Sequence, residues 1–186
     1  MKNFIDLQWP QLYLLTHHDQ LSDDRLCKEV ETTLKNGVKI IQYRDKSADK
    51  RKRLRQAKRL QQLTAQYQAT LIINDDINLA AEVGADGVHL GKEDGLIQQA
   101  RKTLGDDAII GLSCYNRFER AHFAANEGAS YVAFGRFFNS STKPDAPIAD
   151  TQLIKRAKQE LQLPVVAIGG ITPDNATTLL DAGVDM

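Results

Sequence analysis

The segment Gln42-Tyr43-Arg44-Asp45-Lys46 closes a short apolar run, and its Arg44 and Lys46 supply two cations one residue apart. Such groups suit phosphate oxygens, although in isolation a surface charge cluster is the commoner reading. Two further runs end in carboxylates: Asn74-Asp75-Asp76 after one, and His89-Leu90-Gly91-Lys92-Glu93-Asp94 across the end of the next. Carboxylates leaving neighbouring strand ends can share one hard cation, and Mg2+ takes one or two of them together with phosphate oxygens. Taken alone, paired aspartates after a strand more often make a turn or cap a helix, and His89 reads as a satisfied histidine. Ser113-Cys114-Tyr115 follows a fifth run. After a sixth, Ser140-Ser141-Thr142-Lys143 offers hydroxyls, backbone N–H groups and one cation to a phosphate. It lacks the glycines of a P-loop, which argues against a nucleoside triphosphate. Gly169-Gly170 ends a seventh run, where absent side chains would let a ligand approach the backbone. A tight turn explains the glycine pair, but not why nearly every run ends in phosphate-compatible groups.

The elements that must position these residues are legible as alternating patterns. Of the apolar runs at Leu12–Thr16, Val38–Tyr43, Thr70–Asn74, Gly87–Leu90, Ala108–Ser113, Tyr131–Gly135 and Val165–Gly169, most read as continuously apolar, which suits parallel strands covered on both faces. Between them lie the helical segments Asp23–Asn36, Ala48–Tyr67, Asn78–Val83, Gly95–Leu104, Phe118–Glu127, Thr151–Glu160 and Pro173–Ala182. In the second of these, Leu54, Ala57, Leu60, Leu63 and Tyr67 fall at helical spacing. The alternation predicts an α/β protein with a parallel sheet. Gly37, Gly84, Gly128 and Gly183 recur between helix and next strand, where a helix C-cap wants a left-handed residue. That recurrence favours a repeated βα unit, hence a TIM (β/α)8 barrel. After the seventh unit comes Ala182-Gly183-Val184-Asp185-Met186, where an eighth strand should begin. A closed barrel typically needs about 200 residues or more. The expectation is a single barrel domain over 1–186, C-terminally incomplete and lacking its eighth strand and helix, with 1–10 as an N-terminal extension that covers the core.

Composition narrows the classes. The 186 residues balance 24 Lys+Arg against 24 Asp+Glu, which argues against a dedicated nucleic-acid binder. The basic run Lys50-Arg51-Lys52-Arg53 with Arg55, Lys58 and Arg59 has no interleaved aromatics and reads as a solvated helix face. Two cysteines, Cys27 and Cys114, are too few for a disulfide scaffold and stand in no metal-ligand spacing. The N-terminus has no signal-peptide pattern, and no stretch nears the roughly 20 apolar residues of a membrane span. A cytoplasmic protein without nucleic-acid or membrane partners is expected, and an exposed pair of barrel helices could support a homo-oligomer. The sequons at Asn139 and Asn175 read as chance.

Taken together, QYRDK, LIINDDINLAAEVGADGVHLGKED, YVAFGRFFNSSTKPDAP and PVVAIGGI, in that order, resemble the thiamine-phosphate synthase family from about Leu12 to the C-terminus. The resemblance implies a TIM barrel that joins a hydroxymethylpyrimidine diphosphate to a thiazole phosphate, releasing pyrophosphate and thiamine phosphate. By motif, Gln42, Tyr43, Arg44, Asp45 and Lys46 would hold the pyrimidine diphosphate, with Arg44 and Lys46 on its pyrophosphate. Asn74 would bind the same substrate, and Asp75 and Asp94 would ligate Mg2+. Ser113 would hydrogen-bond pyrophosphate. Ser140, Ser141 and Thr142 would meet the thiazole phosphate, Lys143 would reach toward the leaving diphosphate, and Gly170 would offer its N–H. The implied catalytic groups are thus Arg44, Lys143 and Ser113, neutralising a leaving group, with a dissociative step through a pyrimidine carbocation that needs no protein nucleophile.

This sequence has Ser140 where the family often has threonine and Asp45 where glutamate is usual; both keep the chemical type. The missing eighth unit is the larger departure, because it completes the thiazole phosphate site in the family. Two other readings stand beside the synthase. A thiazole tautomerase on the same fold needs a proton-transferring side chain, and its histidine aligns with Tyr115, against Asp75, Asp94 and Lys143. A non-catalytic phosphate-binding relative has no physical need for Asp75 and Asp94.

Overall fold

A computed structural model describes residues 12–16, 21–91, 96–139 and 147–186. The extension 1–10 and the candidate site residues Asp94, Ser140, Ser141, Thr142 and Lys143 lie outside the described residues. Strands and helices alternate along the chain as β1 (Tyr13–Leu15), α1 (Asp23–Lys35), β2 (Ile40–Tyr43), α2 (Lys50–Gln66), β3 (Thr70–Asn74), α3 (Ile77–Val83) and β4 (Gly87–Leu90). The order continues with α4 (Leu96–Leu104), β5 (Ile109–Tyr115), α5 (Phe118–Asn126), β6 (Tyr131–Gly135), α6 (Thr151–Glu160), β7 (Val165–Ile168) and α7 (Ala176–Asp181). Contacts divide the chain into two compact units, Gln11–His89 with Gln99–Ile109, and Leu90–Gln98 with Ile110–Met186. No described helix is long and apolar enough to cross a membrane.

In the first unit, β1 pairs with β2, β2 with β3 and β3 with β4, all parallel, with Gln42 opposite Ile72 and Asn74 opposite His89. Every residue of β2 and β4 is buried, as the continuous apolar runs predict. Ser22 accepts from Arg25 N to start α1, and Asp23 and Asp24 in its first turn complement the helix dipole. Leu26, Val30 and Leu34 form the buried stripe of that helix. The inward face of α2 differs from the apolar spacing: Ala57 and Leu60 are buried, but so are Gln56 and Thr64, while Leu54, Leu63 and Tyr67 are only half-buried. Gln56 is tolerated inside because its amide is satisfied, accepting from Tyr43 Oη at 2.9 Å and donating to Leu21 O at 3.1 Å. The basic residues of α2 are matched across the helix layer: Arg59 pairs with Asp24 at 2.7 Å, Arg53 with Asp76 at 2.7 Å and Lys52 with Asp45 at 2.9 Å, and Arg55 pairs with Asp23.

In the second unit β5, β6 and β7 pair in parallel, and the β5–β6 register shifts between Ser113 and Tyr115. β5 therefore runs to Tyr115, past the expected end at Ser113, because a bulge absorbs Cys114. Arg156 of α6 lies 3.7 Å over the Phe118 ring of α5, a cation–π contact between the two helices. After α7 the chain turns onto the outer edge of β7: Asp185 N donates to Val165 O at 3.0 Å and Ala167 N to Met186 O at 2.8 Å. These bonds lie against β7, and among the described residues the sheet has seven strands, β1 to β7, with no eighth.

Three of the four recurrent glycines, Gly84, Gly128 and Gly183, are followed two residues later by a side chain that grips the preceding strand. Leu71 N donates to Asp86 Oδ2 at 2.8 Å, Ile110 N to Ser130 Oγ at 3.0 Å and Val165 N to Asp185 Oδ2 at 2.7 Å. In return the N–H groups of Asp86, Ser130 and Asp185 donate to Leu71 O, Ile110 O and Val165 O. Each pair of bonds locks the root of one strand, so that its far end presents functional residues at a fixed height. Gly84, the C-cap of α3, has φ +64°, the left-handed conformation its position predicts.

Candidate active site

At the carboxyl end of β2, three polar side chains, Gln42, Tyr43 and Asp45, are buried, while Arg44 and Lys46 are not. Gln42 is 3% exposed, and its Nε2 donates to Tyr13 Oη at 2.9 Å. Tyr43 is buried against Gln56, and burial pushes its hydroxyl pKa well above the usual phenol range. Thr16 clamps the next residue by its main chain, its Oγ1 accepting from Arg44 N at 2.9 Å. The Arg44 side chain leaves that clamp half-buried, with no ion pair among the described residues. Asp45 turns back into the protein, accepting from Ser47 N at 2.7 Å and pairing with Lys52 at 2.9 Å. Burial alone would raise its pKa; the Ser47 and Lys52 contacts outweigh that and hold it below the ordinary carboxylate value. Asp45 and Tyr43 thus brace the strand end from behind, while Arg44 and Lys46 project from it.

The end of β3 separates the two aspartates by conformation. Asp75 takes a left-handed backbone, φ +61°, and its N–H donates to His89 O at 2.8 Å. Asp is one of the few residues that adopts this region readily. The turn leaves the Asp75 side chain exposed, where Lys46 pairs with it and Asn74 Nδ2 donates to it at 2.9 Å. Asp76 instead caps α3, accepting from Leu79 N at 2.9 Å, the commoner role of such a residue. His89, 8% exposed, lies inside β4. Arg44, Lys46, Asn74 and Asp75 are therefore brought together on neighbouring strand ends. Their chemistry fits one hard cation and a polyphosphate: an exposed carboxylate beside an amide, flanked by two cations. Among the described residues no three His, Cys, Asp or Glu side chains cluster as a metal site. A Mg2+ held here would have Asp75 as its described protein carboxylate, with Asp94 outside the described residues.

In the second unit, half-buried Ser113 stands at the bulge of β5. Cys114 behind it is fully buried, its thiol pushed up to about 12 by that burial, which leaves it chemically inert. The described chain on either side of the hydroxyl-rich segment is held by the ends of β6 and β7. Phe137 N donates to Ile168 O at 3.1 Å and Phe138 N to Gly169 O at 2.9 Å. On the return side, Arg136 N donates to Pro147 O at 3.2 Å and Ala149 N to Arg136 O at 2.8 Å, so the two roots of the segment are joined. Arg136 Nη1 donates to Asn139 Oδ1 at 2.9 Å, directly before Ser140. Gly170 packs so tightly on this root that an added Cβ would lie 2.2 Å from Asn139 O. Its own carbonyl accepts from Asn175 Nδ2 at 3.0 Å. Asn139 and Asn175, which read as chance sequons, are loop braces. Arg136 and these two asparagines gave no sign in the spacing, because their partners are defined only once β6 and β7 lie side by side.

The whole described barrel segment has known relatives. Residues 12–186 match the family described as thiamine monophosphate synthase, TMP-TENI. A thiamine-phosphate synthase from Nitrosococcus oceani is 51% identical over 172 residues, 92% of this chain and 79% of the relative. One from Saccharophagus degradans is 54% identical over 158 residues, 85% of this chain and 73% of the relative. Among solved structures, a thiamine phosphate pyrophosphorylase from Pyrococcus furiosus superposes with a TM-score of 0.82 at 35% identity, covering 94% of this chain and 82% of its own. A 3-dehydroquinate dehydratase from Geobacillus kaustophilus, TM-score 0.65 at 12% identity over 86% of this chain and 73% of its own, shares the fold alone.

Proposed function

Because the chain belongs to the thiamine monophosphate synthase family, we propose that it joins a hydroxymethylpyrimidine diphosphate to a thiazole phosphate, forming thiamine phosphate and pyrophosphate. The observation that carries this reading to the residues is the grouping of Arg44, Lys46, Asn74 and Asp75 on the paired ends of β2 and β3. Arg44 approaches the diphosphate with its guanidinium unpaired among the described residues, and Lys46 adds a second cation from the same strand end. Asn74 and Gln42 hold the pyrimidine side of that substrate.

The bond from the pyrimidine methylene carbon to the diphosphate oxygen breaks with its electron pair leaving on pyrophosphate. The aminopyrimidine ring spreads the positive charge left behind, and the thiazole nitrogen then closes the new C–N bond. The chain's task is therefore positioning and neutralisation rather than nucleophilic attack. Ser113 donates its hydroxyl to the departing pyrophosphate. By the family's motif, Gly170 would offer its N–H to the thiazole phosphate together with Ser140, Ser141 and Thr142, and Lys143 would neutralise the leaving group. Mg2+ bound at Asp75 and Asp94 would add charge neutralisation of the diphosphate. Mixing both substrates with the chain and Mg2+, then repeating with a chelator, tests the reading. Mg2+-dependent thiamine phosphate in step with pyrophosphate is expected, and folded protein that makes neither at saturating substrate overturns it.

A further inference from the structure

Arg120 is a charged residue of α5 that is only 9% exposed. Its Nε donates to Ser113 O at 3.3 Å, its Nη2 to Gly91 O at 3.2 Å, and its guanidinium carbon lies 5.8 Å from the Tyr115 ring centroid. Burying a guanidinium is unfavourable unless its donors are used. An apolar side chain of similar length would fill the same space without that penalty, so filling space does not explain the residue. What an arginine adds is a planar fork of five donors able to fasten two carbonyls at once.

Both carbonyls lie where a strand shifts register or ends. Ser113 stands at the register shift of β5, and Tyr115 beyond it takes a left-handed backbone, φ +57°. A bulge re-aims side chains and leaves main-chain groups in need of other partners. Gly91 is the first residue after β4 and opens the stretch that leads to Asp94.

We propose that Arg120 is a positioning residue for the reaction proposed above, on which this inference rests. It touches no substrate. By holding the Ser113 carbonyl it fixes the bulge, and with it the direction in which the Ser113 hydroxyl meets the diphosphate; by holding Gly91 it ties the end of β4 to the same helix.

A double-mutant cycle tests this. Arg120→Met keeps the length and removes every donor, Arg120→Lys restores a single donor group, and each is combined with Ser113→Ala. Kinetics with both substrates, calorimetric binding of inorganic pyrophosphate, and thermal unfolding are measured on all variants. Arg120→Met is expected to lower kcat/KM for the pyrimidine diphosphate about tenfold and to weaken pyrophosphate binding similarly, the scale of one oriented hydrogen bond to a charged group. The KM for thiazole phosphate should hold, and lysine should recover part of the loss. In the Ser113→Ala background the same change should add less than about twofold, since neighbours acting through one contact are not additive. Equal losses in both backgrounds, or a loss that follows unfolding temperature alone, overturn the proposal. If Arg120→Met does not fold, the lysine cycle is read by the same criteria. Wild-type chain that binds pyrophosphate but makes no thiamine phosphate would sink the synthase reading while the binding cycle still decides Arg120. Absence of pyrophosphate binding would overturn the positioning role itself.

Discussion

Replacing Gly170 by alanine isolates what the tight packing at the end of β7 contributes to turnover. The new Cβ would lie 2.2 Å from Asn139 O and 3.0 Å from the carbonyl carbons of both Asn139 and Phe138, at a residue with φ +65°. Left-handed backbone costs an L-residue about 1–2 kcal/mol. The obstructing atoms are main chain and cannot rotate aside, so the Asn139 root must retreat by about 1 Å to reach ordinary contact distance. Asn139 directly precedes the hydroxyl segment and is tied to Arg136, so the retreat carries into Ser140 and its neighbours. The backbone penalty alone should lower the unfolding temperature by about 2–8 °C for a chain of this size. A 1 Å misplacement of a substrate-holding group can cost about a hundredfold in rate. Loss of activity should therefore far exceed loss of stability at 25 °C. The assay is pyrophosphate release with thiazole phosphate varied at saturating pyrimidine diphosphate. A lower kcat and a raised KM for thiazole phosphate are expected, with KM for the pyrimidine diphosphate little changed. A Gly170→Ala enzyme within about threefold of wild-type kcat/KM, a difference of only about 0.6 kcal/mol, would refute the claim that this contact sets the loop.

Asp75→Asn should abolish the response of turnover to Mg2+ yet change stability by less than about 1 kcal/mol, because its pair with Lys46 is well exposed; a Mg2+ titration of pyrophosphate release that matches wild type would contradict the metal assignment. Asp45 is held below its ordinary value of 3.8, so its contribution is complete above that pH and is lost as pH falls through the lower folded value. Lys52→Met removes a cause of that depression, and acid unfolding followed by circular dichroism should begin at higher pH than in wild type. Cys114, fully buried and with its thiol pushed up to about 12, should resist a thiol reagent at pH 8 in the native protein, with both cysteines reacting after denaturation. Rapid native labelling at Cys114 would show that β5 opens.

The alternation of strands and helices was legible because both signals are local: continuous apolar runs for strands buried on two faces, and glycine where a helix must turn back. The exposed half of the site was legible for the same reason, since Arg44, Lys46 and Asp75 follow strand ends directly. What stayed hidden depends on partners distant in sequence. Asp45 and Lys46 look alike as charged residues after a strand, but one turns inward because Lys52 awaits it a turn into α2. The basic run of α2 is largely exposed, as a solvated face is, and it is also charge-matched, since Asp23, Asp24 and Asp76 meet it from other elements. Nothing in the spacing marks Arg120; its burial follows only from the Ser113 and Gly91 carbonyls that it meets once β4, β5 and α5 are in place.

The grip of Asp86, Ser130 and Asp185 on the strand before each has a consequence for recombining this chain with its relatives. The gripping side chain always arrives one helix after the strand it holds, so a crossover inside α3, α5 or α7 takes donor and acceptor from different parents. Crossovers inside α4 or α6 inherit both intact. Chimeras should therefore tolerate exchange in blocks of two strands, β3 with β4 or β5 with β6, better than exchange of single βα units. Where a crossover must fall in α3, carrying the parental Asp86 along with β3 should restore the lock at Leu71.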